Sequence, residues 1–324
     1  MGESNNMEDG ELDFTPTIVN RNSSILVVIG NSGELIKLDN NRDKIGLTTK
    51  PFPAPILSGV IFEDIWVGVW VDRELGDARM AALPLDGVWE NGVGRDVLRT
   101  LHADLDSDLS PKTAIWQKIL SSEPMAFGKI GENIIFATMN KGIYMIDKNG
   151  QELWREHYPK WNDLDIVEDR NPLISIIGTE SGMVIWSASG AVMELDKERK
   201  MKRSEIIKLK DKIFDVRFSE EGGWFIMLHG KSIAIMDDIG NEPYIIKTPG
   251  PVMDSYFENG EWRWTGWRHD GVIKLKSGPA GRNWKMTMEE KNSFSTMPRE
   301  NIGIHIFDNK VMTNDGRWED YSSS

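Results

Sequence analysis

Short apolar runs alternate with turns rich in glycine, asparagine and aspartate along almost the whole chain. The clearest stretch is Asn133 to Trp154. It predicts a strand over Ile134 to Met139, a tight turn at Asn140-Lys141-Gly142 and a second strand over Ile143 to Ile146. A turn over Asp147 to Gly150 and a short strand ending on Trp154 follow. The same unit recurs. Its first copy is Ile25 to Ile29 and Glu34 to Leu38, and its second is Ile65 to Val71 and Ala78 to Leu83, leading to Trp89. The fourth is Leu173 to Ile177 and Met183 to Trp186, and the fifth is Trp224 to Leu228 and Ser232 to Met236. Trp262 to Trp267 and Val272 to Leu275 precede Trp284 in the sixth, and Ile302 to Phe307 and Val311 to Thr313 precede Trp318 in the seventh.

Between Gly33, Gly76, Gly142, Gly182, Gly230, Gly271 and Asn309 the steps are 43, 66, 40, 48, 41 and 38 residues. Most match the length of a four-stranded propeller blade. The long step is expected to hold a helical insert over about residues 91–121, between blades two and three. Ser110 would cap its helix, Pro111 would open the first turn, and Leu120 would end it. A further strand precedes each copy, as Ile213 to Phe218 and Val252 to Phe257 do, which makes four strands per unit. Runs such as Ile25-Leu26-Val27-Val28-Ile29 do not alternate, so both faces of their sheets are expected to be covered. The expected fold is all-β: a seven-bladed propeller of four-stranded antiparallel blades over residues 12–321, with Leu12 to Val19 helping to close it. Residues 1–11 read as a flexible acidic tail, and 322–324 as a disordered end.

Composition narrows the function. Forty per cent of residues are hydrophobic and 27% charged, a soluble profile. A formal net charge of −13 argues against a nucleic-acid partner. There is no cysteine, so disulfides, thiolate metal sites and cysteine nucleophiles are excluded, and a cytoplasmic location is expected. No apolar run approaches the length of a membrane span. Thirteen tryptophans call for large, regularly placed fillers between sheets.

The series Gly142, Ile143, Ile146, Asp147, Gly150 and Trp154 resembles the pyrroloquinoline-quinone-type propeller repeat, partially echoed in the second, sixth and seventh copies. Gly142 turns the hairpin, Asp147 and Gly150 make the next turn, and Trp154 is expected to wedge between blades, as are Trp89, Trp284 and Trp318. The Gly-His and Trp-Asp pairs of WD40 repeats are absent, although degenerate WD40-like propellers are similar. For quinone-dependent dehydrogenases the resemblance implies a cofactor, a calcium ion and an acid or base in the central funnel. The paired cysteines of their alcohol-oxidising branch cannot exist here. For other proteins of this repeat type, such as barrel-assembly scaffold lipoproteins, it implies no quinone.

Local motifs add little chemistry. Asp104, Asp106 and Asp108 open like a calcium loop, but Leu109 and Ile115 replace its glycine and closing glutamate. An acidic solvated linker fits them better. The five histidines lack metal-ligand spacing, although His229 and His269 occupy equivalent turns. Gly92-Val93-Gly94 has Val97 where a dinucleotide loop needs glycine.

Two stretches are candidate partner surfaces. One holds Trp262, Arg263, Trp264, Trp267 and Arg268, which read either as filler between blades or as an exposed hot spot. The other is the basic run from Lys197 to Lys212, with Lys200, Lys202 and Arg203, which reads as a charge-guarded edge strand or as a dock for an acidic partner. The sequence therefore points to a non-catalytic interaction scaffold with protein partners, no cofactor and no metal. The alternative is a ligand-binding or quinoprotein-like enzyme, which requires titratable groups converging in the funnel.

Overall fold

The computed structural model describes residues 11–102, 109–138, 141–161, 171–275 and 294–322. Its fold is an all-β seven-bladed propeller of antiparallel blades. By contacts the chain divides into two units, Met1–Glu123 with Met312–Glu319, and Pro124–Val311 with Asp320–Ser324.

In the first unit, β1 (Pro16–Arg21), β2 (Ile25–Gly30), β3 (Leu35–Asp39) and β4 (Lys44–Thr49) form one sheet in chain order. β5 (Ile56–Ile61), β6 (Ile65–Asp72), β7 (Asp77–Pro84) and β8 (Trp116–Leu120) form the next. Every residue of β6 is buried, so no polar face remains and its sequence cannot alternate. Val27, Ile29, Leu35, Trp66, Trp70 and Leu83 gather in the core of these sheets. Each fully buried side chain of that size contributes about 1.5–3 kcal/mol.

The helix α1 (Arg95–His102) lies between β7 and β8, inside the second blade. This corrects the expected position between blades two and three. The segment read as helix up to Leu120 ends instead as strand β8, paired with β7 from Ala82↔Trp116 to Ala78↔Leu120. The residues of β8 include strand-favouring Trp116 and Ile119, and they cover an edge of β7 that would otherwise be open. α1 forms earlier, where Asp96 meets the positive helix end and Leu98 is fully buried. Arg95 and Arg99 fasten it to Glu74.

The second unit continues with β9 (Pro124–Ile130), β10 (Asn133–Thr138), β11 (Gly142–Asp147) and β12 (Glu152–Glu156). Its next sheets are β13 (Leu173–Thr179) to β16 (Met201–Ile206), with β14 (Gly182–Ser187) and β15 (Ala191–Asp196) between, and β17 (Ile213–Ser219), β18 (Gly223–Leu228), β19 (Ser232–Met236) and β20 (Tyr244–Lys247). β21 (Val252–Glu258), β22 (Glu261–Gly266), β23 (His269–Lys274) and β24 (Phe294–Pro298) follow. β25 (Gly303–Phe307), β26 (Lys310–Thr313) and β27 (Trp318–Asp320) form the last sheet, three-stranded among the described residues. The first strands face one another in series, β9 on β13, β13 on β17, β17 on β21 and β21 on β25. In a propeller this makes them the innermost strands.

Two details of the repeat differ from expectation. The hairpins read from the sequence are the second and third strands in copies one, two, three, five and six, but the first and second in copies four and seven. β13 is as apolar as a second strand, so hydrophobicity alone does not set the phase. Leu12 to Val19 is not one closing strand. Pro16 onward belongs to β1 and pairs with β2, while the Leu12 N–H donates to the Gly316 carbonyl.

The turn at Asp147 is repeated where the sequence hid it. The Asp147 carboxylate accepts from the N–H groups of Asn149 and Gln151, with Gly150 at φ 82°. Asp39 makes the same turn with Asn41 and Asp43, and Asp196 with Lys200. The glycine position is then held by Arg42 (φ 74°) and Arg199 (φ 65°), both left-handed. Each arginine stacks on a tryptophan, Arg42 over Trp318 at 5.1 Å and Arg199 over Trp154 at 5.6 Å.

Candidate functional site

Five first strands, β1, β5, β13, β17 and β21, each gain one residue on their partner near the start, at Thr17, Leu57, Ile174, Phe214 and Met253. Such a bulge increases twist and re-aims the side chains that follow. In β17 and β21 the residues just past it are Asp215 and Asp254, and these anchor an ionic cluster on three consecutive first strands. Asp254 Oδ1 accepts from Arg217 Nε and Nη2 at 3.2 and 3.0 Å. Its Oδ2 accepts from the Ile306 N–H at 3.1 Å and lies 2.6 Å from His305 Nδ1. Arg217 Nη1 also donates to Asp215.

Burial works against the charge on Asp254, but His305 and Arg217 outweigh it and hold the carboxyl well below the usual carboxylate range. Burial likewise opposes the Arg217 cation, and Asp215 and Asp254 hold its proton more tightly than usual. These groups satisfy one another across blades, and the Arg217 side chain keeps 39% of its exposure.

A second feature lies on the loops at one end of the same strands. Backbone hydrogen bonds tie these loops into a row: His229 N–H to Lys212 O, Thr248 N–H to Lys231 O, Trp267 N–H to Pro251 O, and Arg299 N–H to Arg268 O. Lys208, Lys210, Lys212, Lys231 and Arg268 are exposed along the row, and among the described residues no salt bridge engages them. Trp267 is 55% exposed, and Phe214, at 38%, meets the His229 ring edge-on at 5.6 Å.

The structure divides the tryptophan-arginine stretch. Trp262 and Trp264 are in the core, and the Trp262 Nε1–H donates to Gly222 O at 2.9 Å. Arg263, on the other face of β22, pairs with Glu261 and Glu258. Only Trp267 and Arg268, in the turn after β22, face water. Lys200, Lys202 and Arg203 lie at the outer strand β16, where Lys202 pairs with Glu194 and Arg203 with Glu205 and Asp238. The loop from β16 to β17 carries the rest of the basic run, at the same end of the strands as Trp267, a placement that neither stretch signals by itself.

Among the repeat residues, Gly142 passes so close to the Glu156 carbonyl that a Cβ would lie 2.3 Å from its oxygen. Trp89 is buried, and its Nε1–H donates to Pro84 O. Trp154 and Trp318 are half-buried. Trp284, Asp104, Asp106 and Asp108 lie outside the described residues.

His229 and His269 do not share an environment. His269 is 1% exposed, with Nδ1 3.2 Å from Trp267 O, whereas His229 is exposed. Burial pushes the His269 imidazole below its ordinary value, against the Trp267 carbonyl and Asp270. The unfolded chain therefore takes up this proton more readily, so the stability it contributes is present above the ordinary histidine value of 6.5 and lost as pH falls below it. The melting temperature is expected to drop less between pH 7 and pH 5 in His269→Gln than in the parent. An unchanged slope would show that His269 does not set it.

Among the described residues no group of three or more His, Asp or Glu side chains is placed to hold a metal ion. No described helix is long and apolar enough to cross a membrane. No family model and no curated protein matches the sequence. Solved structures do match the fold. The computationally designed Ika8 protein is 12% identical with a TM-score of 0.56, over 94% of this chain and 82% of that one. BamB from Moraxella catarrhalis is 10% identical with a TM-score of 0.54, over 94% and 84%. An extracellular domain attributed to a hybrid two-component system of B. thetaiotaomicron is 11% identical with a TM-score of 0.59, over 96% of this chain and 39% of that one. These likenesses concern architecture alone.

Proposed function

We propose that the protein is a non-catalytic interaction scaffold that engages a protein partner through the loop row holding Lys208, Lys210, Lys212, Lys231, Trp267 and Arg268. The observation that carries this reading is the half-exposed indole of Trp267 on the same row of loops as cations that have no ion pair among the described residues, on a chain of net charge −13. Tryptophan and arginine dominate binding energies at interfaces, and a surface of opposite sign to the rest of the chain selects and steers its partner.

The immobilised full-length chain is expected to retain a protein from native extract that is released by salt, and Trp267→Ala/Arg268→Glu is expected to retain far less. Turnover of a sugar or alcohol with an added quinone acceptor would overturn the reading.

The ionic cluster of Asp215, Arg217, Asp254 and His305 favours a second reading, a small polar ligand held by the innermost strands. It expects a thermal shift with sugars or dicarboxylates that Arg217→Leu abolishes. No shift with either class would dismiss it.

A further inference from the structure

Five exposed cations, Lys208, Lys210, Lys212, Lys231 and Arg268, lie on loops joined edge to edge by backbone hydrogen bonds. Those loops carry only two acids, Asp211 and Glu300. Asp211 is exposed, but its carboxylate is held against the backbone. Its carboxylate accepts from the Lys212 N–H and lies over Gly230, where a Cβ would come within 2.4 Å of Oδ2. On these loops the exposed cations thus outnumber the acids by five to two. Trp267 is fixed at its base, by the Pro251 carbonyl on its N–H and by Gly250 against its Cβ, while its ring faces solvent.

We infer that this row binds an extended acidic protein segment bearing one apolar side chain. Carboxylates of the segment meet the lysines and Arg268, and the apolar side chain covers the Trp267 indole. The inference rests on the scaffold reading and adds the chemistry of the partner. A protein segment fits better than the other polyanions. A nucleic acid would carry its phosphates past the remainder of a strongly acidic chain. An anionic bilayer requires several protruding apolar side chains, and on these loops Trp267 projects while Phe214 is partly covered by His229.

The test uses the full chain and a fluorescein-labelled peptide of alternating glutamate and serine with a central leucine. Its lysine counterpart, single-stranded DNA and phosphatidylserine vesicles serve as the other probes. The glutamate peptide is expected to bind at low salt and to be released as ionic strength rises. Lys208→Glu/Lys210→Glu/Lys212→Glu is expected to weaken it by about tenfold or more, and Trp267→Ala to weaken it with its salt dependence retained. Lys197→Glu, in the turn at the opposite end of β16, is expected to change nothing.

Unchanged melting temperatures will show that these exposed substitutions leave the fold intact. Equal binding of the lysine peptide, insensitivity to the triple substitution, or binding of DNA or vesicles in place of the glutamate peptide overturns the inference. A protein retained from extract equally by parent and triple variant also overturns it while keeping the scaffold reading. Failure to retain any salt-released protein removes the scaffold reading itself.

Discussion

Asp270→Ala is expected to lower the free energy of unfolding by about 3–5 kcal/mol, the usual cost of removing one partner from a buried ion pair. Asp270 is fully buried and is the acceptor for four groups. Arg299 donates through Nε at 3.1 Å and Nη2 at 2.7 Å, Thr265 through Oγ1 at 2.7 Å, and Ser322 through its N–H at 3.0 Å. Alanine would leave the guanidinium, whose side chain is 2% exposed, without its carboxylate. Asp270→Leu/Arg299→Met, which removes both charges, is expected to recover most of the loss. Urea denaturation of the full chain checks both. A single variant within about 1 kcal/mol of the parent would mean that water reaches the pair and replaces the carboxylate.

Trp66→Ala is expected to cost about 3–5 kcal/mol by leaving a large cavity in the first unit. The indole is wholly buried, edge-on to Trp70 at 5.6 Å and tilted against Trp89 at 5.9 Å. Its Nε1–H donates to Asn20 Oδ1 at 2.8 Å, joining the first blade to the second. Gly59 and Gly68 are the bed on which it lies, since a Cβ would come within 2.6 Å of the Asn20 oxygen at Gly59 and 2.1 Å of the indole at Gly68. Gly68→Ala is therefore also expected to destabilise, because a fully buried ring has nowhere to move. Thermal melting of both variants checks this, and a Gly68→Ala protein as stable as the parent would mean that the indole has room to shift.

The fold is legible because sheets covered on both faces write themselves as apolar runs. Ile25–Gly30 and Ile65–Asp72 could be located almost to the residue. The helix was missed because α1 spans only eight residues, while Ser110-Pro111 imitates a helix start before a segment that β7 recruits as an edge strand. The ionic cluster leaves no local motif. Arg217 and Asp254 are 37 residues apart, Asp254 and Ile306 are 52 apart, and each acid is one residue placed by a bulge. Trp262 and Trp264 could not be told from Trp267 by composition. They differ because β22 is covered on its tryptophan face and Trp267 falls just past its end. The two candidate surfaces are visible separately, but their placement at one end of the strands depends on which ends the loops join.

Arg42 and Arg199 carry a further lesson about such repeats. A left-handed backbone costs a non-glycine residue about 1–2 kcal/mol, and a cation over a half-buried indole returns about 0.5–2 kcal/mol. The two nearly cancel, so Arg199→Gly is expected to alter the melting temperature little despite erasing a cation–π contact. Glycine and arginine are then nearly interchangeable at that turn, so the turn's geometry does not need the residue that makes it recognisable in a sequence.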